Sequence, residues 1–368
     1  MDLSQKNIQR LTKAGDQLFA ERLSDLKKHG GVIVLFGAGE GGRRMKKLLA
    51  ENGITVSFFT DNKKSLWGST IDGTPVLSPK EAVTLPFAYV VISASEVGNI
   101  SATLRDLHVT DFEKDLYLMC ITKDYRQVFA KHLAELRKVE KLLSEKKSLQ
   151  TFCALVEQTF CLDTALLSKV YDTNQYFFSP RFAIRLKDVV VDAGAFTGDT
   201  VSDIIRRFGR GFGAVHCFEP NKENAENLKA FVKKNKLTNK VIIHVSGLSD
   251  RAETMYFSGE GVGYHATTAE DPAGEKISTV TLDGALLRQH VDVIKMDIEG
   301  FEPKAIRGAT EIIRRDTPRL AICIYHEPEH FWEIPLMLAK LLPSYTFYLR
   351  HHSLGRLETV WYASPTRV

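Results

Sequence analysis

The chain has 368 residues and a 44% hydrophobic composition, enough to bury more than one core, so two compact domains are expected rather than one. Lys and Arg exceed Asp and Glu by only 4, and basic residues are scattered among acidic ones, which argues against nucleic acid as a partner. Cys120, Cys153, Cys161, Cys217 and Cys323 form no CxxC pair, the N-terminus is polar, and no apolar run approaches the ~20 residues that span a bilayer, so a chain of the reducing cytoplasm without a transmembrane segment is expected.

Residues 4–28 carry Ile8, Leu11, Leu18, Leu23 and Leu26 at helical spacing among charges, with Gly30 and Gly31 as a stop. VIVLF (32–36) reads as a buried strand, GAGEGG as a tight turn, RRMKKLLAENG as a helix and ITVSFFTD as a second strand ending at Asp61. AYVVISAS from Ala88 and a helical pattern to Leu107 continue the alternation, which predicts a parallel sheet with helices on its faces. From about Tyr125 to Val170 the strand signals vanish and Leu, Val and Phe recur three or four apart, as a helical connector requires.

From Asp188 the alternation restarts with VVVDAG, AVHCFEP, VIIHVSGLSD, VDVIKMDIEG and RLAICIYH, each followed by a helical stretch or a polar insertion. YTFYLR and TVWYAS close the chain, and the short HHSLGRLE between them suits an antiparallel hairpin, because parallel strands need long crossovers. The expected fold class is α/β: two Rossmann-like domains joined by a helical connector, the C-terminal one seven-stranded with one reversed strand near its edge. The expected boundaries are a leading helix over 1–29, a nucleotide-binding type of domain over 30–125, the connector over 126–175 and the second domain over 176–368.

In an open α/β sheet a ligand lies beyond the carboxyl ends of the strands, where strand order reverses. The first strand of the second domain ends in a DxGxxxG loop, Asp192, Gly194, Phe196 and Gly198, whose small residues let a ligand approach the backbone. The second strand ends in Glu219, where a carboxylate can accept from both hydroxyls of a ribose. The loop lacks the first glycine of GxGxxG, so the pocket suits an adenosine without a pyrophosphate, as in S-adenosylmethionine (SAM). Leu248 and Ser249, at the end of the third strand, are placed beside the adenine, and Asp297, at the end of the fourth, near the methionine part or the acceptor. Helix capping and turn formation would by themselves account for Asp192, Gly194 and Gly198 one at a time, and the helix dipole for Glu302.

VVVDAGAFTGDT, CFEPN, VSGLSD and above all IKMDIEGFEPKAIRGA resemble the FkbM family of SAM-dependent methyltransferases, over roughly residues 170–368. The resemblance implies methyl transfer to a hydroxyl, often on a sugar or a polyketide-like natural product, with Asp192, Gly194, Glu219 and Asp297 at SAM-site positions. A small-molecule or saccharide acceptor is the expected partner, and association with a second copy of the chain is left open.

Such chemistry needs an aligned acceptor oxygen and a proton acceptor. His326, at the end of the fifth strand, is the first candidate and Asp297 the second, while His351 and His352 in the last loop are expected to be solvated. The string from His326 to His330 fits HExxH, but Pro328 favours a helix starting just there, so a zinc-protease reading is set aside. No protein metal is assigned, although Asp297 and Glu299 together suit a divalent cation. The Gly-rich stretch 258–275 is a candidate lid.

In the first domain Gly37, Gly39 and Gly42 form GxGxxG between a strand and a helix, and Asp61 follows at the end of the next strand. This half, with DGTPVLSP, resembles the Rossmann-like modules at the start of sugar acyltransferases, which implies nucleotide-sugar or substrate binding and not necessarily redox chemistry. An NAD-linked role is the alternative function.

Overall fold

The computed structural model describes residues 1–94, 97–258, 265–267 and 274–366, so most of the Gly-rich stretch 258–275 lies outside the described residues. The chain divides into two compact units. The first comprises Met1–Leu133, Cys153–Tyr171 and Ser353–Leu357, the second Ala134–Phe152, Asp172–His352 and Glu358–Val368. The stretch 126–175, expected to act as a connector, is therefore divided: 126–133 and 153–171 belong to the first unit, 134–152 and 172–175 to the second.

In the first unit, β1 (Val32–Phe36), β2 (Val56–Thr60), β3 (Thr70–Ile71), β4 (Thr74–Leu77) and β5 (Ala88–Ile92) form a sheet in the order β3-β4-β2-β1-β5. β1 pairs in parallel with β2 and β5. Its apolar run is buried on both faces, as parallel strands between helices are. The β3–β4 hairpin turns through Asp72 and Gly73, both at positive φ (47° and 76°), the conformation an Asp-Gly turn favours. The leading helix Gln5–His29 is capped by the Ser4 side chain, which accepts from Asn7 N, and ends at Gly30 with φ 61°. Its Phe19, Leu23 and Leu26 enter the same core as Leu35, Met45 and Phe59.

In the second unit the strands are β6 (Val189–Ala193), β7 (Ala214–Phe218), β8 (Val241–His244), β9 (Gly247–Leu248), β10 (Glu253–Ser258), β11 (His265–Thr267), β12 (Glu275–Val280), β13 (Val293–Met296), β14 (Arg319–Cys323), β15 (Tyr345–His351) and β16 (Thr359–Pro365). Seven of them form one sheet in the order β15-β16-β14-β13-β6-β7-β8. β16 runs antiparallel to both β14 and β15, and the other pairings are parallel. This is the expected seven-stranded arrangement with one reversed strand. Sequence order runs outward from β6 through β7 to β8 on one side and resumes at β13 on the other, so the switch point lies between β6 and β13. A second sheet, β11-β10-β12-β9, was not anticipated: VIIHVSGLSD looks like one strand, but the chain leaves the large sheet after His244 and re-pairs at Gly247.

One expectation is corrected here. His351 and His352 are buried, not solvated. His351 is the last residue of β15, with Nδ1 2.9 Å from Thr359 Oγ1. His352 Nδ1 lies 2.7 Å from the Asp172 carbonyl oxygen and Nε2 2.9 Å from the Tyr362 hydroxyl. A hairpin loop folded back on its own unit buries what a free loop would expose.

Candidate active site

The loop that follows β6 is shaped by its neighbours on the sheet. Gly194 sits at φ 75°, and a Cβ there would run into the carbonyl oxygen of Asp297, so no side chain fits. Its N–H donates to the Phe218 carbonyl at 3.0 Å, as does that of Ala195 at 3.2 Å. Phe196 takes φ 45° and is 56% exposed. Gly198, at φ 99°, opens the helix Asp199–Phe208, and a side chain there would press on Leu228 and Phe231.

Glu219, just past β7, is buried and ties this loop together: Oε2 accepts from Phe196 N and Oε1 from Asn221 N, each at 2.9 Å. Burial raises its pKa against these bonds. The Asn224 side chain bonds it as well, and of the four lone-pair positions of a carboxylate this leaves one for a ligand hydroxyl. Leu248 is buried on β9, and Ser249 follows it with its N–H donating to the Val280 carbonyl at 3.0 Å.

Asp192 does not reach the loop surface. Its carboxylate is wholly buried, with Oδ1 3.0 Å from Nζ of Lys295, the residue opposite it across β6 and β13. The Lys295 ammonium also donates to the carbonyl oxygens of Gly194 at 2.8 Å and Ala193 at 3.3 Å. Burial opposes its charge, but Asp192 and then Asp297 raise its pKa and keep it protonated.

Beyond β13, Asp297 is held by donors on both oxygens: Tyr176 OH to Oδ2 and Tyr325 OH to Oδ1, each at 2.9 Å. Burial would raise this carboxyl, but His326, Lys295 and Tyr325 together hold it well below the usual carboxylate range. Burial and the nearby negative charge raise both tyrosines, so they stay protonated donors.

His326 Nε2 lies 3.3 Å from Asp297 Oδ1 and 3.7 Å from Glu299 Oε2, and Nδ1 lies 2.9 Å from Glu302 Oε1. Burial disfavours the imidazolium, yet Glu302 and Asp297 raise its pKa well above the ordinary value. Glu302 is completely buried and accepts from Ile298 N at 2.8 Å, so its role exceeds that of a helix-dipole residue. His330 starts the helix His330–Leu341, whereas His326 precedes it, so the two histidines of the HExxH string do not share a helix.

The structure thus brings Gly194, Glu219, Asp297 and His326 to the carboxyl ends of neighbouring strands. Lys295, Tyr176 and Tyr325 were passed over in the sequence, and Glu302 was read only as a helix-dipole residue. Lys295 carried a signal, since a lysine in an apolar strand two residues before Asp297 shares its face. The tyrosines carried none.

In the first unit, Asp61 Oδ2 accepts from Ala38 N at 2.9 Å and Oδ1 from Lys63 N at 2.8 Å. Gly37 has φ 118°, and a Cβ on Gly42 would run into the Gly37 carbonyl oxygen. Gly39 caps the helix Glu40–Glu51 and has open space around it.

Residues 192–349, which lie within the second unit, match the family model described as Methyltransferase FkbM domain. Residues 31–113 match a different family, C2185-like, N-terminal. The chain as a whole is similar in fold to a methyltransferase FkbM from Methylobacillus flagellatus KT, at 19% identity and a TM-score of 0.67 over 96% of this chain and 98% of that one. More distant likenesses are an rRNA methylase from Streptococcus thermophilus (13% identity, TM-score 0.32, 56% of this chain and 95% of that) and an Aeropyrum pernix fibrillarin in complex with S-adenosyl-L-methionine (13%, 0.33, 55% and 73%). No curated protein matches the chain. Among the described residues no helix is long and apolar enough to cross a membrane.

Proposed function

We propose that the second unit binds SAM and transfers its methyl group to a hydroxyl of a sugar, a glycoconjugate precursor or a related natural product in the cytoplasm. The observation that carries this reading is the convergence of Glu219, the close-approach loop at Gly194 and the buried Asp297–His326 pair at one sheet switch point. Glu219 would accept from a ribose hydroxyl, Leu248 and Ser249 would flank the adenine, and Phe196 and Gly198 would shape the loop over the cofactor. Asp192 would act from beneath, by holding Lys295 against the loop carbonyls.

In the reaction the acceptor oxygen attacks the electrophilic methyl carbon. The carbon–sulfur bond breaks with its electron pair left on sulfur, giving the thioether S-adenosylhomocysteine. The hydroxyl proton passes to the Asp297–His326 pair, where His326 takes it once its ring is neutral and Asp297 is the second acceptor. Alignment supplies most of the acceleration, since no covalent nucleophile is needed.

Calorimetric titration with S-adenosylhomocysteine tests the reading. Wild type is expected to bind one equivalent, and Glu219→Gln to bind at least about tenfold more weakly, as loss of a charged hydrogen bond implies. A parallel titration with NAD examines Gly37, Gly39, Gly42 and Asp61. Binding of NAD without S-adenosylhomocysteine would overturn the proposal and favour a dinucleotide role for the first unit.

A further inference from the structure

Around His326 three carboxylates gather within a few ångströms. Asp297 Oδ1 and Glu299 Oε2 both face Nε2, at 3.3 and 3.7 Å, and Glu302 Oε1 stands 2.9 Å from Nδ1 on the other side of the ring. Ligand atoms of Asp297, Glu302 and His326 all lie within 4.8 Å of one another. The His326 side chain is 8% exposed, yet neither ring nitrogen meets a partner with hydrogen-bond geometry, and Glu302 Oε2 is likewise without a hydrogen bond. Nδ1 is turned to Glu302 at ion-pair distance, and Nε2 faces Asp297 and Glu299 without an aligned hydrogen bond to either, an arrangement that a cation among them would account for.

We propose that His326 Nε2, Asp297 and Glu299 hold a divalent first-row cation, with Glu302 as the carboxylate that orients the ring from Nδ1. Neighbouring donors on a six-coordinate ion with bonds near 2.1 Å are about 3 Å apart, so Nε2 and Asp297 Oδ1 are already spaced as ligands. Glu299, half exposed at 51%, stands beside them with Oε2 3.7 Å from Nε2. A carboxylate on the far nitrogen of a metal-bound histidine fixes the tautomer that leaves the other nitrogen free to ligate, which is the part Glu302 plays. One imidazole with two carboxylates suits Mn²⁺ or a similar ion better than Mg²⁺, which prefers oxygen alone.

The site deepens the methyl-transfer reading and rests on it only for what the ion does. An acceptor hydroxyl bound to the ion would lose its proton to water more readily, and His326 would then serve as a ligand in place of the proton acceptor.

The test uses the full chain and Mn²⁺ alone, followed by the loss of the free-ion electron paramagnetic resonance signal. Wild type is expected to take up one equivalent. Glu299→Gln and His326→Gln are expected to abolish uptake, Glu302→Gln to weaken it about 10–100-fold, and Glu333→Gln, on the exposed face of the following helix, to leave it unchanged. Glu299 is exposed enough that its variant folds even where the His326 variant does not, and S-adenosylhomocysteine binding by each variant reports an intact second unit. No uptake by wild type, or uptake indifferent to Glu299→Gln, overturns the site. Mn²⁺ uptake without S-adenosylhomocysteine binding leaves the site standing and overturns the methyl-transfer reading instead.

Discussion

The ammonium of Lys295 stands 3.0 Å from the carboxylate of Asp192, and both are all but removed from water. The pair crosses from β13 to β6 under the loop that carries Gly194, and the Lys295 ammonium also donates hydrogen bonds to the carbonyls of Ala193 and Gly194. A buried charge is tolerated only with such a partner, so each residue fixes the other and both fix the loop.

Lys295→Met is therefore expected to leave the Asp192 carboxylate buried without its cation, at a cost of about 3–5 kcal/mol in urea unfolding. Adding Asp192→Asn to that variant should restore part of the loss, since the two act as a unit. A single variant within about 1 kcal/mol of wild type, the range of an ordinary surface pair, would show that the pair contributes little.

Gly194→Ala places a methyl group against the Asp297 carbonyl oxygen at a backbone angle that L residues resist. The expected result is a loss of roughly 1–3 kcal/mol or more, together with loss of S-adenosylhomocysteine binding in calorimetry, because the loop must move outward. Binding at wild-type strength would mean that the loop takes no part in the cofactor site.

Burial lowers His352 from 6.5 to about 4, against its contacts with the Asp172 carbonyl and carboxylate. Between those two values the unfolded chain holds more protons than the folded one, so this contribution to stability is complete above pH 6.5 and is lost as pH falls toward 4. In urea unfolding across that window, wild type should lose up to about 1.4 kcal/mol per pH unit more than His352→Gln. Equal slopes would show that His352 is not buried in its neutral form.

Tyr362→Phe removes the hydroxyl that accepts from Tyr176 N at 2.8 Å and meets His352 Nε2 at 2.9 Å. Leaving that buried N–H without an acceptor should cost about 1–3 kcal/mol. Because Tyr176 in turn holds Asp297, Mn²⁺ uptake should weaken along with stability. Thermal unfolding and the resonance titration measure the two effects separately.

The sheets were legible where a strand is a short apolar run ending in a turn residue, as at VIVLF, VVVDAG and VDVIKMD. The small sheet of β9–β12 was not, since β9 and β11 have only two and three residues, and the six-residue β10 and β12, ETMYFS and EKISTV, interleave polar residues and form no apolar run. Gly194, Glu219, Asp297 and His326 could be singled out because they stand at strand ends, where an open α/β sheet places ligands. His351 and His352 misled because their position in a short polar stretch says nothing of what packs over it.

Residue order alone established the two alternating halves, the reversed last strand and the set of side chains at the carboxyl ends, because period, turn chemistry and strand length are local properties. Whether Asp192 points to a cofactor or to Lys295, whether Glu302 caps a helix or orients His326, and whether Tyr176 reaches Asp297 were decided only by folding. Each depends on residues about a hundred positions apart, or on neighbouring elements, brought into one low-dielectric site where an unpaired charge cannot remain.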